Sequence, residues 1–122
     1  PLPPREPIAT PGALMEPPSG SSWGDRLFVK ADIRHGDSGG PVLDRYGLVA
    51  GIMEAKIDTV ARYRATGQVS ADVGIGIATP IVLSFLRTND VRFQIAQQGE
   101  LLNGAEMLMN ARPYIARADC WQ

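Results

Sequence analysis

The sequence predicts a mainly β chain with two short helices, and three observations carry that expectation. Thirteen glycines and ten prolines in 122 residues favour many turns over long helices. The stretch "RLFVKADI" alternates Leu27, Val29, Ala31 and Ile33 against Phe28, Lys30 and Asp32, the period of a half-buried strand. The stretch "PVLDRYGLVAGIMEA" sets two apolar runs around the turn "DRYG" and reads as a hairpin whose second arm is Leu48 to Ala55.

Taken in order, the segment Pro1 to Gly24 holds most of the ten prolines, which leaves room only for short edge strands and turns. Residues 26–33 form the first regular strand and enter the glycine-rich turn "HGDSGG", which Pro41 closes before the hairpin. Residues 56–72 are polar and lack a sustained period, so they are expected to be a long mobile excursion between strands. The stretch "VGIGIATP" is a further strand running into "PIVLSFLRTN", where Pro80 suits a helix start and Ile81, Leu83, Phe85 and Leu86 supply apolar contacts. Asn103 and Glu106 have the form of a capping box, with Ala105, Leu108, Met109 and Arg112 at helical spacing behind it and Met107 and Met109 read as core packing. Pro113 ends that helix, and "YIARADCW" is expected as a terminal strand. There are no internal repeats. The organisation expected is a Pro-rich segment over 1–25, a β domain over 26–87 and a helix-strand extension over 88–122.

Composition narrows the function classes. Twelve basic and thirteen acidic residues give a net charge of -1, which supplies no field for nucleic acid or an anionic membrane. No run of 18 apolar residues occurs, so no membrane span is expected. The N-terminus has neither the basic start nor the apolar core of a signal peptide, and the chain does not begin with methionine, so it is expected to be a piece of something longer. Cys120 is the single cysteine, which excludes an internal disulfide and a thiolate-rich metal site. Asp44, Glu54, Asp58 and Asp72 are scattered without metal-ligand spacing, and "GIG" at Gly74 to Gly76 lacks the rest of a dinucleotide fingerprint. No metal and no cofactor are expected.

The chemistry lies in "HGDSGGPVL", His35 to Leu43. Glycines on both sides of Ser38 open backbone conformations closed to residues with a Cβ and clear space for a carbonyl to approach the hydroxyl. Such a turn can aim successive N–H groups into one small volume, which is what an acyl-transfer oxyanion requires, and Gly36 and Ser38 are the natural donors. At average composition "GDSGGP" arises by chance in about one in a hundred thousand chains of this length.

"GDSGGP" resembles the nucleophile signature of the chymotrypsin-like serine peptidases. The flanks "GDSGGPVLDRYGLVAGIMEA" and "VGIGIATPIVLSFL" are similar to the second β-barrel and closing helix of the bacterial members, HtrA-like ones included. The similarity runs over residues 26–87. It implies an antiparallel Greek-key barrel with a helix after its last strand, Ser38 as nucleophile, and the amides of Gly36 and Ser38 as the oxyanion hole. It further implies that Met53, Glu54, Ala55 and Lys56 lie along the substrate backbone and that Gly74 or Gly76 lines the first specificity pocket. Asp32 falls where trypsins place an acid that selects Arg or Lys, whereas HtrA-like members arrange this strand differently. The resemblance also implies that Asp37 orients the turn, in some members by pairing with a freed N-terminal amine, although Pro1-Leu2 does not match that terminus.

A serine hydroxyl needs an adjacent base. In the family the histidine and its aspartate come from a first barrel upstream, and this chain has no counterpart to it. His35, the single histidine, does not replace that base, since it occupies the position at the mouth of the specificity pocket on the same rigid turn. It reads as a solvated loop residue or a substrate contact. The expected partners are a peptide or protein substrate and a first barrel in the same or another chain. A second reading is a non-catalytic peptidase remnant that binds peptides or proteins and self-associates through the uncovered half-cleft.

Overall fold

The computed structural model describes residues 6–16, 25–34, 36–57, 59–67 and 72–116. Its centre is a five-stranded antiparallel sheet built from β1 (Gly12–Met15), β2 (Arg26–Ala31), β3 (Pro41–Leu43), β4 (Val49–Lys56) and β5 (Val73–Ala78), in the order β1-β2-β5-β4-β3. Helix α1 (Thr59–Thr66) joins β4 to β5, α2 (Thr79–Thr88) follows β5 directly, and α3 (Gly104–Ala111) runs into a 3-10 turn over Arg112–Tyr114. The chain is therefore mainly β with a few helices, as its composition predicts. No helix among the described residues is long and apolar enough to cross a membrane.

Three glycines let the central strands pack. Residues paired across neighbouring strands share a face. Leu27 pairs with Gly76, Val29 with Gly74, and Met53 with Gly76, so side chains of β2 and β4 meet over the bare backbone of β5. A Cβ at Gly74 would lie 2.8 Å from Met53 Sδ and 3.0 Å from Ile33 Cγ1. A Cβ at Gly51 would lie 2.5 Å from both Leu27 Cδ1 and the Ile77 carbonyl oxygen. Val29, Ile33 and Met53 are buried on this face, and Phe28 and Val73 are buried on the other.

The half-buried pattern expected of β2 needs correction. Phe28, placed with the polar face by its alternation, is 3% exposed, so adjacent residues Phe28 and Val29 are buried on opposite faces. Along β1, by contrast, every residue is exposed, as suits a short edge strand beside the Pro-rich segment.

The hairpin forms as the sequence predicts. The Asp44 carboxylate accepts from the amides of Tyr46 (2.9 Å) and Leu48 (3.0 Å), and Gly47 supplies the positive φ of 78° that the turn requires. Residues 56–72, expected as an irregular excursion, instead contain α1, closed where the Gly67 amide donates to the Tyr63 carbonyl. Its residues carry little periodic apolar signal, so pattern reading passes over it.

Helix α2 starts at the expected proline, but its inward residues differ. Thr79, Val82, Leu83 and Leu86 are half-buried, whereas Phe85 is 64% exposed and Ile81 is exposed as well. The capping box of α3 is present in both directions, Asn103 Oδ1 accepting from the Glu106 amide at 2.9 Å and Glu106 Oε1 from the Asn103 amide at 3.0 Å. Met109 is 75% exposed rather than core, and Ala111 is the buried residue of this helix. Arg112 reaches the other end of the chain, its guanidinium 3.1 Å from Glu6. The expected terminal strand is not seen at its start: Tyr114 belongs to the 3-10 turn and residues 115–116 are irregular, the remainder lying outside the described residues. The amide of Leu102 donates to the Arg45 carbonyl at 2.9 Å, so the segment before α3 is tied to the β3–β4 turn.

Candidate functional site

The serine turn is built by hydrogen bonds between Arg34, Asp37 and Gly40. The Asp37 carboxylate accepts from the Arg34 amide at 2.8 Å, the Asp37 amide donates to the Arg34 carbonyl at 3.1 Å, and the Gly40 amide donates to the Asp37 carbonyl at 3.0 Å. Asp37 thus orients the turn through the local backbone. Gly36 at φ 102° and Gly39 at φ 87° stand on either side of Asp37-Ser38, in a region that residues with a Cβ rarely enter. That is why the motif spends its glycines there.

Two bonds then dock the turn on β4. The Gly39 amide donates to the Met53 carbonyl at 2.7 Å, and the Met53 amide donates to the Gly40 carbonyl at 2.8 Å. Next to them the Ser38 hydroxyl donates to the Glu54 carbonyl at 3.1 Å. A register shift between Met53 and Ala55 makes this possible, because Met53 pairs with Gly76 and Ala55 with Ile75, leaving Glu54 as the extra residue. Such a bulge bends its strand and re-aims backbone groups. Here it turns the carbonyls of both Met53 and Glu54 toward the serine turn.

Ser38 is exposed, as are Gly36 and Gly39. Among the described residues no acceptor takes the amide of Gly36 or that of Ser38. Two exposed amides in one glycine-bearing turn, beside a hydroxyl, suit an anionic oxygen.

Among the described residues, no strand pairs with β4 beyond Ile52 on the side away from β5. The pairing with β3 ends at Ile52, and the Ile57 amide donates to the Val73 carbonyl of β5 at 2.9 Å. Because backbone groups alternate sides along a strand, those of Lys56 face away from β5. Ala55 pairs with Ile75 and Lys56 with Gly74, so this edge starts next to Ser38.

The other sequence-predicted residues fall into three groups. Met53 and Gly74 serve the core: the Met53 side chain fills the space over Gly74, and both backbone polar groups of Met53 are engaged by the serine turn. Gly76 is buried between Leu27 and Ile52.

Glu54, Lys56 and Asp32 are held in surface ion pairs. Glu54 Oε2 lies 3.0 Å from Arg26 Nε, Lys56 Nζ 3.5 Å from Asp72, and Asp32 3.1 Å from Arg34. Asp32 is exposed and borders an open depression with Lys30, Ala31 and Asp72. His35, Asp58 and Cys120 lie outside the described residues.

Arg26 is the residue that sequence reading missed. It is two strands away from Glu54 in the sheet, and nothing in the local spacing of either residue signals the pairing. No group of three or more metal-ligating side chains occurs among the described residues.

Fold and site together define a mainly antiparallel β protein that carries an exposed, glycine-flanked serine turn docked on a bulged strand. In sequence, 94 residues of the chain are 25% identical to the uncharacterized protein y4bJ of Sinorhizobium fredii, a match spanning 77% of this chain and 15% of that protein. The chain thus spans a small part of that much longer relative. No known family and no solved structure matches it.

Proposed function

We propose that this chain is the second-barrel half of a trypsin-like serine peptidase, with residues 26–87 as the barrel part and 88–122 as an extension. The observation that carries the reading is the serine turn: Ser38 between two glycines at positive φ, with the amides of Gly36 and Ser38 taken by no described residue. The strand order β2-β5-β4-β3 supports it, since β3, β4 and β5 lie side by side in sequence order with β2 next to the last, the order a Greek key requires, with helix α1 in the connection between β4 and β5.

In this reading Ser38 Oγ attacks a peptide carbonyl carbon and its proton passes to a base. The carbonyl oxygen becomes an oxyanion held by the Gly36 and Ser38 amides. Collapse breaks the C–N bond, the departing amine takes the proton from the base, and water repeats the sequence to release the acid. An extended substrate lies along this edge of β4, beside Lys56, whose backbone groups face away from β5. The base comes from beyond the described residues, from a first-barrel histidine held by its aspartate.

A binding module is the second reading, and one observation favours it: the Ser38 hydroxyl rests on a carbonyl, which cannot accept its proton as a base. The two separate by fluorophosphonate labelling followed by mass spectrometry of the Ser38 peptide. Without its base a triad loses about a millionfold in turnover. The 122-residue chain alone is therefore expected to show no time-dependent adduct, and a protein that includes the histidine-bearing barrel to label at Ser38 but not as Ser38→Ala. Rapid labelling of the chain alone overturns the argument about the base. Absence of labelling in both proteins overturns the peptidase reading in favour of the binding module.

A further inference from the structure

The Arg26–Glu54 pair bridges β2 and β4 over β5. Arg26 pairs with Ile77 and Ile77 with Ile52, so Arg26 sits beside the part of β4 where the bulge begins. Its Nε reaches Glu54 Oε2 at 3.0 Å, and both side chains are half-exposed, at 32% and 42%. Glu54 is the residue that the β4–β5 register skips, and its carbonyl receives the Ser38 hydroxyl. One residue thus carries a backbone contact to the nucleophile turn and a side-chain contact to a distant strand.

We propose that Arg26 is a positioning residue: by holding the Glu54 side chain it fixes the bulge, and the bulge fixes where the serine turn docks. A bulged residue lacks the ladder bonds that hold its neighbours in place, so its orientation depends on other contacts. The Arg26 ion pair is that contact, and its geometry is transmitted to Ser38 through the carbonyls of Met53 and Glu54. The consequence for Ser38 reactivity rests on the peptidase reading; the consequence for docking does not.

The test replaces Arg26 by Met, which keeps much of the aliphatic stem, and by Lys, which keeps the charge. Amide hydrogen exchange of Gly39 and Met53, the two bonds that dock the turn, is followed in the 122-residue chain. A partly exposed ion pair supports an effect of about two- to five-fold. Arg26→Met is expected to speed exchange at both amides by that factor, with Arg26→Lys restoring most of the protection and the Glu106 amide in α3 unaffected. Unchanged exchange at Gly39 and Met53 in Arg26→Met, or an equal rise at Glu106, overturns the proposal. In the protein that includes the histidine-bearing barrel, the labelling rate of Ser38 is expected to fall in Arg26→Met and recover in Arg26→Lys. Failure of the wild-type protein to label removes the peptidase reading while leaving the exchange result to decide the positioning role.

Discussion

Replacing Gly36 by alanine separates backbone strain from crowding at the serine turn. A Cβ there would meet nothing within 4 Å, so the substitution creates no clash with neighbouring atoms. Its cost is conformational: at φ 102° an L-residue is held in a sparsely populated region, at about 1–3 kcal/mol. Alanine also restricts the unfolded chain, which offsets about 0.4–1 kcal/mol of that. From the centres of the two ranges the net loss is about 1.3 kcal/mol. At about 4 °C per kcal/mol for a domain near this size, the thermal midpoint should fall by about 5 °C. Circular dichroism melts of wild type, Gly36→Ala and Gly99→Ala measure it, the last being a glycine with open space around it and no positive φ. A D-alanine placed at position 36 by chemical ligation favours positive φ and should restore the wild-type midpoint. If Gly36→Ala melts with the wild type, the turn does not need its glycine conformation, and the physical case for the oxyanion site weakens with it.

Two further outcomes test the scaffold. Gly51→Ala brings a Cβ to 2.5 Å from the Ile77 carbonyl oxygen and Leu27 Cδ1, and since one of these atoms is backbone the strands must shift. A loss at the upper end of the overpacking range, about 3 kcal/mol, is expected in urea unfolding. Asn103→Ala removes one side of the capping box and should cost about 1 kcal/mol, seen first as faster exchange of the Glu106 amide.

Elements were legible where local chemistry decided them. The hairpin at Asp44, the start of α2 at Pro80 and the capping box of Asn103 each depend on residues within a few positions of one another, so spacing alone exposes them. Burial was less legible. Phe28 alternates with buried neighbours and is itself buried, because both faces of β2 are covered at that point. Met109 and Phe85 sit in helices with apolar residues on several sides, and which side faces the sheet depends on how the helix docks. Helix α1 escaped notice because its sequence has no apolar stripe.

The site divides in the same way. The sequence by itself pointed to the serine turn: the glycines on both sides of Ser38 permit the positive φ that Gly36 and Gly39 take. It also determined that the single histidine stands three positions before the serine. Tertiary structure alone decided what the turn rests on. The Glu54 bulge is a mismatch between β4 and β5, the clamp on it comes from Arg26 across another strand, and the room in front of Gly74 is taken by Met53 and Ile33. These are pairings between segments distant in the chain, set by strand register and by the space that side chains fill, and no local pattern encodes them.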